Sequence, residues 1–445
     1  MRPRLLRPPS GQAQGRRCPE QLLRFRRPQH FTGAWQVPGG AAMKQAVAIA
    51  GAGCVLPSGW GVESFWAAAT EGRSAITALN ARRFSSERVV AFGQIQDQDH
   101  QRSRQDLAQN LQRYCTPAVI WGVSAVRQAL EEAGLADEQP DVRFGLYCCQ
   151  GGYTHPSLES YAELLHGCRQ DGVADMAAFA KRILQDRAQD PFLVLKGLSN
   201  CLLGVTSLAL KLVGECNAYM QGVAGNLAAL REATAALQAG RIDAAIVVGA
   251  GSELDALALS GLVQAGVISA NGSNTLLPFD LRGTGGIAGE GAAALVLRRR
   301  EDLSAGPQAC LADMTAHASL GRLSLPDSPT DVLVCSGTGD AHKDRVLCQT
   351  LALARASHIT SGLAINGILS AAPSLVDLML ARCALQAQSV PPIAGLQQPV
   401  ANLPFIQGAP HAASLAHCLV LNRDDNGFSA AYQVHYSAKV TQDCR

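Results

Sequence analysis

The chain has 445 residues, 47% of them apolar and 17% charged, with 38 basic and 36 acidic side chains leaving a formal charge of +2. Such a chain can fill one large duplicated core or two ordinary ones. Its near-neutral balance gives no general attraction to nucleic acid or to an anionic membrane surface. The 14 Cys are scattered through apolar runs, as at Cys54, Cys201, Cys216, Cys335 and Cys418, without paired CxxC spacing. They read as reduced, packed thiols rather than zinc ligands or a disulfide framework, so no metal and no cofactor is expected.

Residues 1–42 are rich in Arg and Pro with Glu20 as their only acid, a composition expected to stay disordered or to precede a true start at Met43. No run approaches ~20 uninterrupted apolar residues, which predicts no membrane span and a cytoplasmic protein. From Met43 the pattern is a short apolar strand, a Gly-containing turn and a helix over about 62–71. "TPAVIWGVSAVRQALEEAGL" (116–135) has helical spacing, and "RFGLYCCQGG" follows as a buried strand in which the pair Cys148 and Cys149 reads as packing. "GNLAALREATAALQAGRIDAAIVVGAGSE" gives a helix, a Gly240 stop and a strand apolar on both faces, as the interior of a layered α/β sheet requires. "GEGAAALVLRRRED" (289–302) repeats the Gly-then-strand theme. After a Pro/Asp-rich break at 325–330, "DVLVCSGTGDAHKDRVLCQTLALA", "SGLAINGILSAAPSLVDLMLARCALQ" and "HCLVLNRDD" predict strand–turn–helix, turn–helix and a last strand. The second series echoes the first, so the chain divides into an extension (1–42), an N-terminal half (43–300), a C-terminal half (301–425) and a hydrophilic tail (426–445).

In order, these landmarks resemble the β-ketoacyl-acyl-carrier-protein synthases. "VAIAGAGCVLPSGWGVESFWAAATEGRSAI" is similar to that family's opening strand–turn–helix, "GRIDAAIVVGAGSE" to the segment after its nucleophile helix, and "LPFDLRGTGGIAGEGAAALVL" to its P-F-D…G-E-G-A-G run. Several collinear motifs spanning Met43 to about Asp424 carry the resemblance. It implies the thiolase-like fold, a five-layered α/β/α/β/α arrangement of two duplicated halves.

In that family a Cys at a strand-to-helix elbow attacks an acyl thioester, assisted by two His. Counting back from "GRID" without gaps puts Val223 of "VAGNLAA" at the nucleophile's position. The first His position, after "DVLVC", falls on Ser336, and the second, in "NGILSAAP", on Gly367. The family's Phe/Gly-rich loop near the end corresponds to "PHAASLAH", with Ala412 and Ala413. Four elements missing together imply a chain with no catalytic residue of its own, since members of such a set act as a unit. The resemblance is strongest to a chain-length factor, the catalytically incompetent β subunit that pairs with an active ketosynthase and its acyl-carrier protein, which bears a phosphopantetheine-linked acyl chain, in type II polyketide or aryl-polyene assembly. Val223 in place of the aromatic-polyketide subunits' Gln makes the aryl-polyene type the nearer fit.

A tunnel wall for a partner's growing acyl chain is sought in "GECNAYMQG", with Tyr219, Met220 and Gln221 as candidates or as ordinary core. An alternative is an active acyltransferase with a displaced nucleophile, Cys216 or Cys201, and His342 or His358 as base. Asp280 and Glu290 read as turn anchors, and Asn366 as a neighbour of the old pocket.

Overall fold

The structure, a computed structural model, describes residues 46–437 other than 81–85, 87, 137–141, 151–157, 270–271, 305, 318–322, 324, 326–328 and 425. The Arg/Pro-rich extension over 1–42 lies outside the described residues. Small or apolar residues fill β1 (Val47–Leu56), which turns back through β2 (Gly59–Trp60) into α1 (Gly61–Thr70). Helix α2 (Pro117–Glu132) starts on a proline, tolerated in a first turn whose N–H groups have no helical acceptor. Then come β3 (Phe144–Gln150), β4 (Gly214–Met220), α3 (Val223–Gln238), β5 (Ala244–Ser252) and β6 (Glu290–Arg299). The second half supplies β7 (Gln308–His317), β8 (Val332–Cys335), α4 (Ala341–Leu351), β9 (His358–Thr360), α5 (Pro373–Ala387), β10 (His417–Arg423) and β11 (Ser429–Ser437).

These strands hydrogen-bond in the order β9-β8-β10-β11-β7-β1-β6-β5-β3-β4, with β2 on β1. Among these strands the two halves pair through β1 and β7, where Val47 lies opposite Leu311 and Ala48 opposite Cys310. Strand side chains alternate between faces, and the alternation separates three cores. Ile49, Val247, Leu295, Val334, Val420 and Val434 point inward onto α3 and α5. Val55, Ile246, Val248 and Ala294 pack outward against α2, and Leu333, Leu419 and Leu421 against α4. The result is the thiolase-like succession of helix, sheet, paired helices, sheet and helix. Glu132 ties α2 to the middle layer, accepting from the Ala52 amide at 2.7 Å and from both terminal nitrogens of Arg382, at 3.1 and 2.8 Å.

Two strands depart from the sequence reading. The segment expected to begin a hydrophilic tail at Asn426 instead forms β11, an interior strand between β10 and β7. Its polar residues hide a period-two pattern: Tyr432 and Val434 are buried, and the Tyr432 hydroxyl donates to Ser374 Oγ at 3.0 Å. Strand β7 was not anticipated either, because "QACLADMTAH" mixes polar and apolar residues and its register shifts between Leu311 and Asp313.

Candidate functional site

Strand β4 ends at Met220, and the chain turns through Gln221 and Gly222, the latter at φ +99°, into the first residue of α3. That left-handed residue aims the helix N-terminus at the centre of the molecule. Val223 occupies the first helical position and is 3% exposed. Asn226 anchors the elbow, its Nδ2 donating to the Ala371 carbonyl at 2.9 Å and its Oδ1 accepting from the Ser374 amide at 3.1 Å. A helix N-terminus stabilises an anion, yet Val223 offers neither an ionisable proton nor a lone pair.

Val223, Ser336 and Gly367 line one cavity of about 390 Å³, together with Thr338, Asn366 and Asp377. Val223 thus meets, in one space, two positions more than a hundred residues further along the chain. Gly367 sits at φ +80°, where an added Cβ would meet the Ala288 carbonyl oxygen at 3.0 Å. The fourth element does not join them: His411–Ala412 pairs with Ser389–Val390, and neither Ala412 nor Ala413 lines the cavity. Tyr219, Met220 and Gln221 lie outside it too. Tyr219 lies against α3 with its hydroxyl on Glu232, Gln221 Nε2 donates to Glu253 Oε1 at 3.1 Å, and Met220 is 59% exposed.

The sequence reading missed Asp377. It stands in the apolar run "PSLVDLMLAR" of α5, 3% exposed, and lines the cavity. Ser336 Oγ donates to its Oδ2 at 2.5 Å and Asn422 Nδ2 to the same oxygen at 2.6 Å. Burial pushes its carboxyl up to about 6, and the two hydrogen bonds only partly oppose that. A lone acid inside an apolar helix was the available signal, but it gains meaning only once α5 is known to be enclosed.

Because this acid's value rises on folding, from 3.8 to about 6, its contribution to stability is fully present below 3.8 and is lost as pH climbs through about 6. Asp377→Asn keeps the two hydrogen bonds without the charge. It is therefore expected to match the unsubstituted protein near pH 4 and to exceed it by roughly 2–3 kcal/mol near pH 8. Chemical denaturation at the two pH values checks this; equal stability at both would contradict it.

The alternative nucleophiles lie elsewhere. Neither Cys201 nor Cys216 lines the cavity. Burial raises the Cys201 thiol, which donates to the Tyr114 carbonyl at 3.3 Å. Burial likewise pushes Cys149 up to about 12, the opposite of what a nucleophile needs. His342 is exposed at the cavity rim, whereas His358 begins β9, its Nδ1 3.1 Å from the Asp331 carbonyl. Asp280 and Glu290 are fully buried anchors. Burial would raise the Asp280 carboxyl, but Arg282 and the backbone amides of Gln397 and Gln398 hold it well below the carboxylate range. Glu290 accepts from the Ile95 amide at 3.0 Å and from Ser252 Oγ at 2.7 Å. Among the described residues no cluster of His, Cys, Asp or Glu could hold a metal ion, and no helix is long and apolar enough to cross a membrane.

The fold has counterparts among known proteins. Residues 44–303 match the N-terminal domain of the beta-ketoacyl synthases. The chain belongs to the beta-ketoacyl synthase family. It is 24% identical over 429 residues to the granaticin polyketide beta-ketoacyl synthase 2 of Streptomyces violaceoruber, covering 88% of this chain and 96% of that protein. It is 25% identical to the tetracenomycin polyketide synthase ketoacyl synthase beta subunit of Streptomyces glaucescens, covering 87% and 98%. Among solved structures, the ishigamide ketosynthase/chain length factor superposes with a TM-score of 0.70 at 17% identity over 88% of this beta-ketoacyl synthase family member and 99% of that chain. A type II polyketide acyl-carrier protein in complex with its ketosynthase bound to a hexaketide gives 0.67 at 18% identity, covering 88% and 99%.

Proposed function

We propose that this chain is a non-catalytic chain-length-factor subunit that pairs with an active β-ketoacyl synthase, engages that enzyme's acyl-carrier protein and helps shape the tunnel receiving the growing acyl chain. The observation that carries the reading is the cavity at the elbow, where Val223, Ser336 and Gly367 provide neither thiol nor imidazole, the other thiol on its wall, Cys335, is raised by burial, and His342 stands exposed at the rim. A condensing enzyme needs a nucleophile and proton-transferring groups there.

The molecular surface supports pairing. Among the described residues β4 is hydrogen-bonded on one side only, by β3, and so presents a free strand edge. Leu208 on the helix packed against it, Val213 just before it and Met220 at its end are exposed apolar residues that a partner would cover. Met220 is then the interface contact, while Tyr219 and Gln221 set the strand's inner side. Relatives named for granaticin and tetracenomycin, matched over almost the whole chain, favour polyketide over aryl-polyene assembly.

Co-expression with a ketosynthase encoded beside it tests the reading. The two should co-purify, the pair should elongate carrier-bound acyl chains, and this chain alone should neither become acylated nor condense malonyl thioesters. Bulky replacements along β4 should shorten the product without abolishing pairing. Condensation by the isolated chain would overturn the proposal.

A further inference from the structure

The free edge of β4 carries different chemistry on its two faces. Side chains alternate along the strand, so Glu215, Asn217 and Tyr219 share the side of α3, while Cys216, Ala218 and Met220 share the other. Glu232 of α3 joins the first row, its carboxylate accepting from the Tyr219 hydroxyl and from Asn217 Nδ2 at 3.3 Å. Burial and the bond to Glu232 push the Tyr219 phenol up, so it stays a neutral donor.

The two carboxylates beside the edge are not equally compensated. Arg241 donates to both oxygens of Glu215, at 2.9 and 2.7 Å, and the Tyr147 hydroxyl donates to Oε1 at 3.0 Å. Glu232 has only the two neutral donors, and its neighbour Arg231 is turned away to the Met314 carbonyl at 2.6 Å. Asn217, the exposed middle residue of the seven in β4, therefore marks a point of net negative charge on a strand edge that lacks a neighbour.

An unpaired edge is a template for one more strand, and the nearest strand of matching shape belongs to a second copy of the same chain. Such a copy, added across a two-fold axis normal to the sheet through the middle of β4, would run antiparallel and set Asn217 against Asn217. The two Glu232 carboxylates would then face each other in a closing interface, with each Arg241 already held by its own Glu215. Like charges so placed oppose association, whereas a cation at the same point favours it.

We propose that β4 takes the antiparallel edge strand of a different chain that bears a Lys or Arg opposite Asn217, whose cation meets Glu232, and that this same carboxylate keeps a second copy of the chain away. The inference rests on the reading of this chain as one member of a pair and adds what selects the other member. Leu208, Val213 and Met220 offer apolar area to any partner; Glu232 discriminates between them.

The isolated full chain and its own charge-changed variants are the probes. In sedimentation velocity at about 0.1 M NaCl the unsubstituted chain should stay monomeric up to tens of micromolar, and Glu232→Gln should self-associate more tightly. An equimolar mixture of the unsubstituted chain with Glu232→Lys should dimerise about tenfold or more tightly than either alone, a gain that ~0.5 M NaCl largely removes. Should Glu232→Lys fail to fold, Glu232→Gln still decides the matter. An unsubstituted chain that dimerises as tightly as Glu232→Gln, or a mixture no tighter than its components, would overturn the proposal. With the ketosynthase encoded beside this chain, Glu232→Lys should weaken pairing by about tenfold or more. Co-purification indifferent to both substitutions would remove the charge selection and leave the pairing standing. Failure to co-purify at all would count against the pairing, while the mixture of copies still decides what Glu232 does.

Discussion

Replacing Gly225 by Ala is expected to break the elbow. An added Cβ at this position would lie 1.6 Å from the Met220 carbonyl oxygen and 2.8 Å from its carbon, so backbone would meet methyl with no side chain able to yield. Helix α3 must then withdraw from the end of β4, dragging Asn226 off the Ala371 carbonyl and the Ser374 amide. Overpacking of a well-filled interior costs about 1–3 kcal/mol, and an obstacle made of backbone places this case at or above ~3 kcal/mol. Urea denaturation measures it directly. Because the same residues present the free strand edge, co-purification with a ketosynthase should fall in parallel. A Gly225→Ala chain of unchanged stability would mean that the close approach of α3 to β4 is not obligatory.

The second large effect expected is that a thiol placed at the elbow brings no condensation. Val223→Cys puts a thiol at the first position of a 16-residue helix, on the wall of a cavity of about 390 Å³. The helix N-terminus favours the thiolate, so iodoacetamide should modify Cys at this position through the cavity. Condensation should nonetheless stay undetectable, because Ser336 and Gly367 supply no imidazole to move protons. Single members of an interdependent catalytic set give almost nothing alone, with losses on the order of a millionfold. Ser336→His can be added, but Gly367→His meets φ +80° and the Ala288 carbonyl, so the third group resists restoration. Malonyl-thioester consumption by Val223→Cys and by Val223→Cys/Ser336→His provides the check. Measurable turnover by the single variant would show that another group takes over proton transfer.

These two outcomes rest on features of different legibility. The strands of β5 and β6 were readable because a continuous apolar run has only one stable place in a layered α/β molecule, between helices on both faces. Positions 223, 336 and 367 were expected at one site because collinear motifs bracket each of them, and one cavity holds all three. Strands β7 and β11 were not readable: each mixes polar with apolar residues, and their places, β11 between β10 and β7 and β7 between β11 and β1, are fixed by pairings between segments far apart in the chain. The loop with Ala412 and Ala413 was set beside the same site by order along the chain, whereas its pairing with Ser389–Val390 keeps it off the cavity wall. Strand alternation likewise divided Tyr219 from Met220, one turned onto α3 and the other outward, a choice of face that depends on register.

Side-chain chemistry is local, and so the sequence by itself determined what Val223, Ser336 and Gly367 cannot do: no folding can give valine a nucleophile or glycine an imidazole. Its apolar periodicity likewise specified alternating strands and helices in two similar halves. Tertiary structure alone decided that these residues share one cavity, that Gly225 lies against backbone, and that Asp377 is enclosed. Proximity and desolvation come from segments far apart in the chain, and a carboxyl reads as surface or as interior only when the layers on both sides of its helix are in place.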